Sequence, residues 1–274
     1  MLGSAVQVRL AAPKFFEMET KKIPWDTSKG RPEPIAALNK IPEIENGDPL
    51  VNLKVVAPSI KILRAQAITY CRLTVANMVE RAAQSLPEGY FLGLIEGWRP
   101  IERQQRIFNY WLEGARAAFP GRSHQALRRT ACRWAAPTDQ KAPPGHCTGA
   151  ALDVHLVNAK GRPYDVVSPY RRFVAARTYT LGLTKTAQIN RNILIEAMLN
   201  QGFSNCRDEW WHYSFGDAGW AVRLAQPTCF YGLVRLDPHL YEDTEKLWIR
   251  AMLKRPNPFL NLANPSLETQ PEDE

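Results

Sequence analysis

A handful of side chains in this 274-residue chain have the types and spacing of a hydrolytic metal centre. There are five histidines: His124, His146, His155, His212 and His239. His146 follows a Pro-Pro-Gly turn and stands seven residues before Asp153, in the segment HCTGAALD. Asp153 is a charge within an apolar run, and a buried carboxylate is costly unless it is paired or coordinates a metal. A loop that turns into a strand through Gly149 can bring His146 and Asp153 to one point. The second segment is Glu209-Trp210-Trp211-His212. Residues at odd separations on a regular strand point to opposite faces. Glu209 and His212 therefore reach one centre only through a bulge or near a strand end. Imidazole and carboxylate are suitable zinc donors, and a catalytic zinc keeps three protein ligands and one open position. A glutamate beside that position can act as a general base without ligating.

These residues need elements to hold them. Residues 51–63 have strand-like composition interrupted by a proline. Residues 73–86 place Leu73, Val75, Met78, Val79, Ala82 and Leu86 near helical spacing, with Pro87 as a stop. Residues 90–98 read as a buried strand. Pro100 opens a helix over about residues 101–118. Residues 136–147 are a Pro- and Gly-rich loop, 150–157 a strand, and 158–170 a run of turns. Residues 188–201 read as a helix capped by Gly202, 209–215 as an aromatic strand, and about 241–254 as an amphipathic helix. Helices and strands do not alternate regularly, which favours α+β over a doubly wound parallel sheet.

Composition sets outer limits. Hydrophobic residues make up 45% and charged residues 23%, as in ordinary globular domains. The net charge of +8 is spread along the chain. Its densest cluster is Arg122, Arg128, Arg129 and Arg133, with Arg171 and Arg172 as a second pair, and no nucleic-acid motif accompanies either. No nucleic-acid partner is therefore expected. No window approaches the ~20 apolar residues of a membrane span. Five cysteines at wide spacings, with no CxxC pair, fit free thiols in a reducing compartment. Together with the lack of a signal-peptide pattern at the N-terminus, this gives a cytoplasmic expectation.

The segments GHCTGAALDVHL and EWWHY, with EGWRP upstream, resemble the D-alanyl-D-alanine metallopeptidases, and among them the dipeptidases of the vancomycin-resistance type. The resemblance covers roughly residues 50–216. It implies His146, Asp153 and His212 as ligands of one Zn2+ per chain, Glu209 as the general base, and Arg99 as the group that meets the developing oxyanion. It also implies a compact α+β domain with a central antiparallel sheet flanked by helices, shared with Hedgehog-type signalling domains. The substrate it implies is a small peptide of the D-Ala-D-Ala type, as met in cell-wall (peptidoglycan) precursors.

The chain departs from that branch at three places. Pro144 stands where a serine is usual, Glu96 where an aspartate often precedes the arginine, and Arg171 where an acid would hold the substrate amine, with Asp165 nearby. Glu96, Asp165, Arg171 and Trp211 are the expected substrate-side residues. His155, two residues after Asp153 and on the same strand face, is a possible support for the ligands. The expected division is an N-terminal extension over residues 1–50, a zinc peptidase domain over 51–235, and a C-terminal helix and acidic tail over 236–274. Two further readings remain at this level: a peptidase of the same fold acting on a blocked or longer peptide, and a zinc-bearing binding module without hydrolysis. The sequence leaves the oligomeric state open.

Overall fold

The computed structural model describes residues 32–168 and 176–260. Its centre is a five-stranded sheet. In chain order the strands are β1 Leu50–Asn52, β2 Lys61–Ile62, β3 Tyr70–Arg72, β4 Phe91–Glu96, β5 Ala151–Val157, β6 Ser204–Asn205 and β7 His212–Ser214. The sheet order is β2-β4-β5-β7-β6, and β1 pairs with β3 in a separate antiparallel ribbon. All pairs in the main sheet are antiparallel except β2–β4, which is parallel. The α+β expectation holds, with this one parallel pair added to an otherwise antiparallel sheet.

The helices are α1 Ile35–Leu38, α2 Leu53–Val56, α3 Leu73–Gln84, α4 Ile101–Ala118, α5 His124–Ala131, α6 Lys185–Leu199, α7 Ala218–Leu224 and α8 Glu242–Leu253. The helical stripe read in residues 73–86 is the buried face of α3: Val75, Met78, Val79 and Ala82. With Leu194, Ile195 and Met198 of α6 it covers Leu92, Leu94, Leu152, Val154, Leu156 and Tyr213 on one face of the sheet. The opposite face takes the alternate residues, including Asp153 and His155. One face of the sheet thus stabilises the fold by apolar burial, and the other is left for polar chemistry.

Several elements depart from the sequence reading. The strand-like stretch 51–63 is broken by α2, because the Asn52 side chain accepts from the Lys54 N–H (3.0 Å) and caps a helical turn. Helix α5 was not anticipated, although Ser123 caps it through the Ala126 N–H. Helix α6 begins earlier than read, at the Thr184 cap. It ends at Leu199, and Gly202 follows with φ 95°, in the left-handed region that favours glycine. The strand read over 209–215 begins only at His212. Among the described residues no helix is long and apolar enough to cross a membrane.

Arg72 fastens the chain's distant parts. It is buried and donates to the carbonyls of Thr148 (2.7 Å), Asp48 (2.7 Å) and Gly232 (3.2 Å) and to both oxygens of Glu45 (3.0 Å each). Segment 45–48, β3, the turn that carries His146 and the segment around Gly232 are thereby held together. Residues 1–31, 169–175 and 261–274, which include Arg171, Arg172 and the acidic tail, lie outside the described residues.

Candidate metal centre

Strand register builds the site. Asp153 on β5 is the direct partner of His212 on β7 and, on its other side, of Glu96 on β4. Direct partners share a face of the sheet. Glu96 reaches this row through a register shift between Leu94 and Glu96, where one extra residue turns its side chain to the polar face. The result is a row Glu96–Asp153–His212 across three neighbouring strands.

His146 comes to the row from a short 3-10 turn, Gly145–Thr148, closed by Thr148 Oγ1 donating to the Gly145 carbonyl (2.7 Å). Gly149 ends the turn at φ 73° and leads straight into β5. His146 Nδ1 lies 2.8 Å from the Gly97 carbonyl. A carbonyl only accepts, so Nδ1 carries the hydrogen, and in the neutral ring Nε2 presents its lone pair. Nε2 lies 3.2 Å from Asp153 Oδ1, and His212 Nδ1 lies 3.0 Å from the same oxygen. One ligand atom from each of the three residues lies within 4.8 Å of the other two.

This arrangement fits a divalent metal. An imidazole lone pair and a carboxylate oxygen at 3.2 Å repel unless a cation or a proton sits between them. Two imidazoles and one carboxylate, with one histidine oriented by a backbone carbonyl, are the donor set and the outer support of a catalytic zinc site. Burial pushes the Asp153 carboxyl upward, but the charge and hydrogen bond of His146, together with His212, outweigh it and hold its pKa below the usual carboxylate range. His212 loses some basicity to burial. Its hydrogen bond to Asp153 and the charges of Asp153 and Glu209 more than restore it, so its pKa is raised.

Glu209 lies in the turn before β7, where its carbonyl accepts from the His212 N–H (3.2 Å). This resolves the parity problem set by the spacing. The turn, at a strand end, puts both side chains on one side, and Glu209 Oε2 is 3.9 Å from His212 Nδ1. The surrounding protein raises the Glu209 pKa; His212 opposes that rise and Asp153 adds to it. Arg99 follows Gly97 and Trp98 out of β4, and its N–H donates to the His146 carbonyl (3.1 Å). Its guanidinium donates to Gln104 Oε1 (2.6 Å) and faces Glu96 Oε2 at 3.7 Å, while its buried Nε has no hydrogen-bond partner among the described residues. Desolvation lowers the Arg99 pKa, but the charges of Glu96, Asp153, Cys147 and Glu209 together raise it. Arg99 therefore belongs to the same electrostatic site.

The other expected residues divide. His155 shares the Asp153 face, but its Nδ1 bonds the Leu156 carbonyl (2.7 Å) and its ring meets Trp210 edge-on. Trp211 is half-buried; its carbonyl accepts from Val154 N–H (3.0 Å) and its ring packs edge-on against Trp210. Asp165 closes its own loop, accepting from Val167 N–H (2.9 Å) and Thr184 Oγ1 (3.3 Å). Arg171 lies outside the described residues. Pro144 caps the turn that carries His146.

Sequence reasoning missed Gly97. Its Cα approaches the Ile68 and Tyr70 carbonyls so closely that a Cβ would stand 2.6 and 2.8 Å from them, so only glycine fits. It also missed Arg103 and Gln104, although ERQQ begins on the first turn after Arg99.

Residues 61–230 match the peptidase family described as D-ala-D-ala dipeptidase. That is more than half of the chain, and the chain belongs to this family. A D-alanyl-D-alanine dipeptidase of Synechocystis sp. is 33% identical over 106 residues, covering 34% of this chain and 43% of that protein. The aligned part is thus less than half the length of that relative. Among solved structures, a mutant vancomycin-resistance D,D-pentapeptidase VanY from a VanB-type cassette, in complex with Zn(II), is 16% identical with a TM-score of 0.38, covering 70% of this chain and 96% of that one. VanYB in complex with D-alanine-D-alanine is 18% identical with a TM-score of 0.35, covering 58% of this chain and 80% of that one.

Proposed function

We propose that this protein is a zinc-dependent peptidase that hydrolyses a short peptide of the D-Ala-D-Ala type. The observation that carries this reading is the grouping of His146, Asp153 and His212 around one point, with the Glu209 carboxylate 3.9 Å from His212, in a chain of the D-ala-D-ala dipeptidase family. His146, through Nε2, Asp153 and His212 would hold the ion. Zinc bound there would supply Lewis acidity and would lower the pKa of the attacking water to about 7.

The remaining chemistry belongs to the chain's own side chains. Glu209 accepts the proton of the attacking water and later delivers it to the leaving amine. Its raised pKa suits both halves of that task. Arg99, fixed between Gln104 and Glu96, meets the negative charge on the scissile carbonyl oxygen. Asp153 and His212 are held in register by the sheet, and His146 by the Gly97 carbonyl, so little reorganisation is needed.

The test is D-alanine release from D-Ala-D-Ala by the purified zinc-loaded protein, with an N-blocked peptide in parallel and Glu209→Ala as the control. Release that disappears in the control supports the reading. Release from the blocked peptide alone places the substrate among longer peptides, which agrees with Asp165 being engaged in its own loop. Release that persists undiminished in Glu209→Ala would end the base assignment. Stoichiometric zinc without turnover on either peptide would favour a binding module.

A further inference from the structure

Four charged side chains form a line from the edge of the metal centre to the C-terminal helix. Arg99 Nη2 faces Glu96 Oε2 at 3.7 Å, and the other oxygen of Glu96 takes Arg103 Nη1 at 3.0 Å. Arg103 Nε then donates to Glu245 Oε2 on α8 at 2.6 Å. The Arg103 side chain is 0% exposed and that of Glu245 17%. Trp248, one turn along α8, lies under the Arg103 guanidinium at 5.0 Å, and Nη1 also reaches the Gln66 carbonyl at 3.2 Å. The neighbouring segment is held in a similar way. Trp98 donates to the Val234 carbonyl (3.2 Å) and packs edge-on against Tyr241. Glu245, Trp248 and Tyr241 all lie beyond residue 230, where the family match ends.

The charges in this line balance: two arginines and two glutamates. In a poorly hydrated setting each guanidinium needs carboxylate, and Arg103 draws on two. Its contact with Glu96 is the shorter one, 3.0 Å against 3.7 Å for Arg99. If Glu245 is neutralised, Glu96 is left to serve both arginines and swings to the more buried Arg103. Arg99 then loses its carboxylate.

We propose that Glu245 is a positioning residue for Arg99, acting through Arg103 and Glu96, and that α8 is a working part of the active-site scaffold. The proposal rests on the role given above to Arg99, yet the coupling itself can be read without turnover. The variant is Glu245→Gln in the full chain, which removes the charge and keeps the shape. The protein should stay folded and zinc-loaded. The Arg99 Nε–H resonance, assigned by its loss in Arg99→Ala, should broaden and exchange faster with solvent. kcat should fall by about tenfold to a hundredfold with KM little changed, as expected for misplacement of a catalytic group by a distant change.

In an Arg99→Ala background Glu245→Gln should cost nothing further, and Glu245→Asp should recover part of the loss. An unchanged Arg99 signal in Glu245→Gln overturns the proposal, as does a loss of kcat that persists at full size in the Arg99→Ala background. If Arg99→Ala itself leaves turnover intact, the oxyanion role of Arg99 fails, while the resonance still decides the coupling. Should Glu245→Gln not fold, Glu245→Asp, with its carboxylate drawn back by one methylene, is read by the same signal.

Discussion

Asp153 stands directly opposite His212 on the next strand, its Oδ1 3.0 Å from His212 Nδ1. Two of the three candidate ligands are therefore fixed by one backbone register, not by loops. Asp153→Ala removes the oxygen that both imidazoles approach. Zinc content after dialysis should drop from about one per chain to near zero, as should that of His212→Ala. Stoichiometric zinc retained in both variants would sink the assignment.

Glu209 lies outside the ligand set, so its replacement separates binding from chemistry. Glu209→Gln should keep zinc and fold while lowering kcat by roughly 10²–10⁴-fold, the usual contribution of a general base. Metal analysis and turnover on one preparation check this. Equal losses of zinc and activity would show that Glu209 is a ligand instead.

Gly97 couples packing to the metal. A methyl group there would press on the Ile68 and Tyr70 carbonyls, and the Gly97 carbonyl is what orients His146. Gly97→Ala should destabilise the protein by about 1–3 kcal/mol, as overpacking does, and weaken zinc binding in addition. Urea denaturation with and without zinc, beside a chelator competition, separates the two effects.

Zinc retention should also depend on pH in a predictable direction. A ligating imidazole must be neutral. The His212 pKa is raised, first against the effect of burial and then by Asp153 and Glu209. A raised value means that protonation begins at a higher pH than for an ordinary histidine. Zinc affinity should therefore begin to weaken as pH falls through that raised value, because protons then compete with the metal for His212. Chelator competition across a pH series measures this; an affinity that does not fall as pH drops below that value would contradict the sign.

The sequence made the candidate site legible and left its support hidden. His146, Asp153, Glu209 and His212 stood out because charges and imidazoles are rare within apolar runs and their order matches a known pattern. The α3 stripe and the α4 boundaries were readable because helical periodicity and Pro100 mark them. Local pattern did not foresee the register shift that turns Glu96 toward Asp153, because register depends on the partner strand. Nor did it foresee that Glu209 precedes β7, since EWWHYSF has strand composition throughout. Asp165 was singled out for charge and position, but its carboxylate closes a turn. The link from Arg103 to Glu245 spans 142 residues, beyond any local signal.

Arg72 ties the His146 turn to segments that are made at very different times. Its bonds reach residues 45 and 48 early in the chain and residue 232 late, with a separation of 160 residues in the last case. During synthesis the N-terminal partners emerge first, and Arg72 must wait for the Gly232 carbonyl before its full set of bonds can close. Contacts of such long reach form late because loop closure must precede them. A nascent chain thus carries His146, Asp153 and His212 before the Arg72 bond to the Gly232 carbonyl can close, which places the final fastening of the His146 turn late in folding.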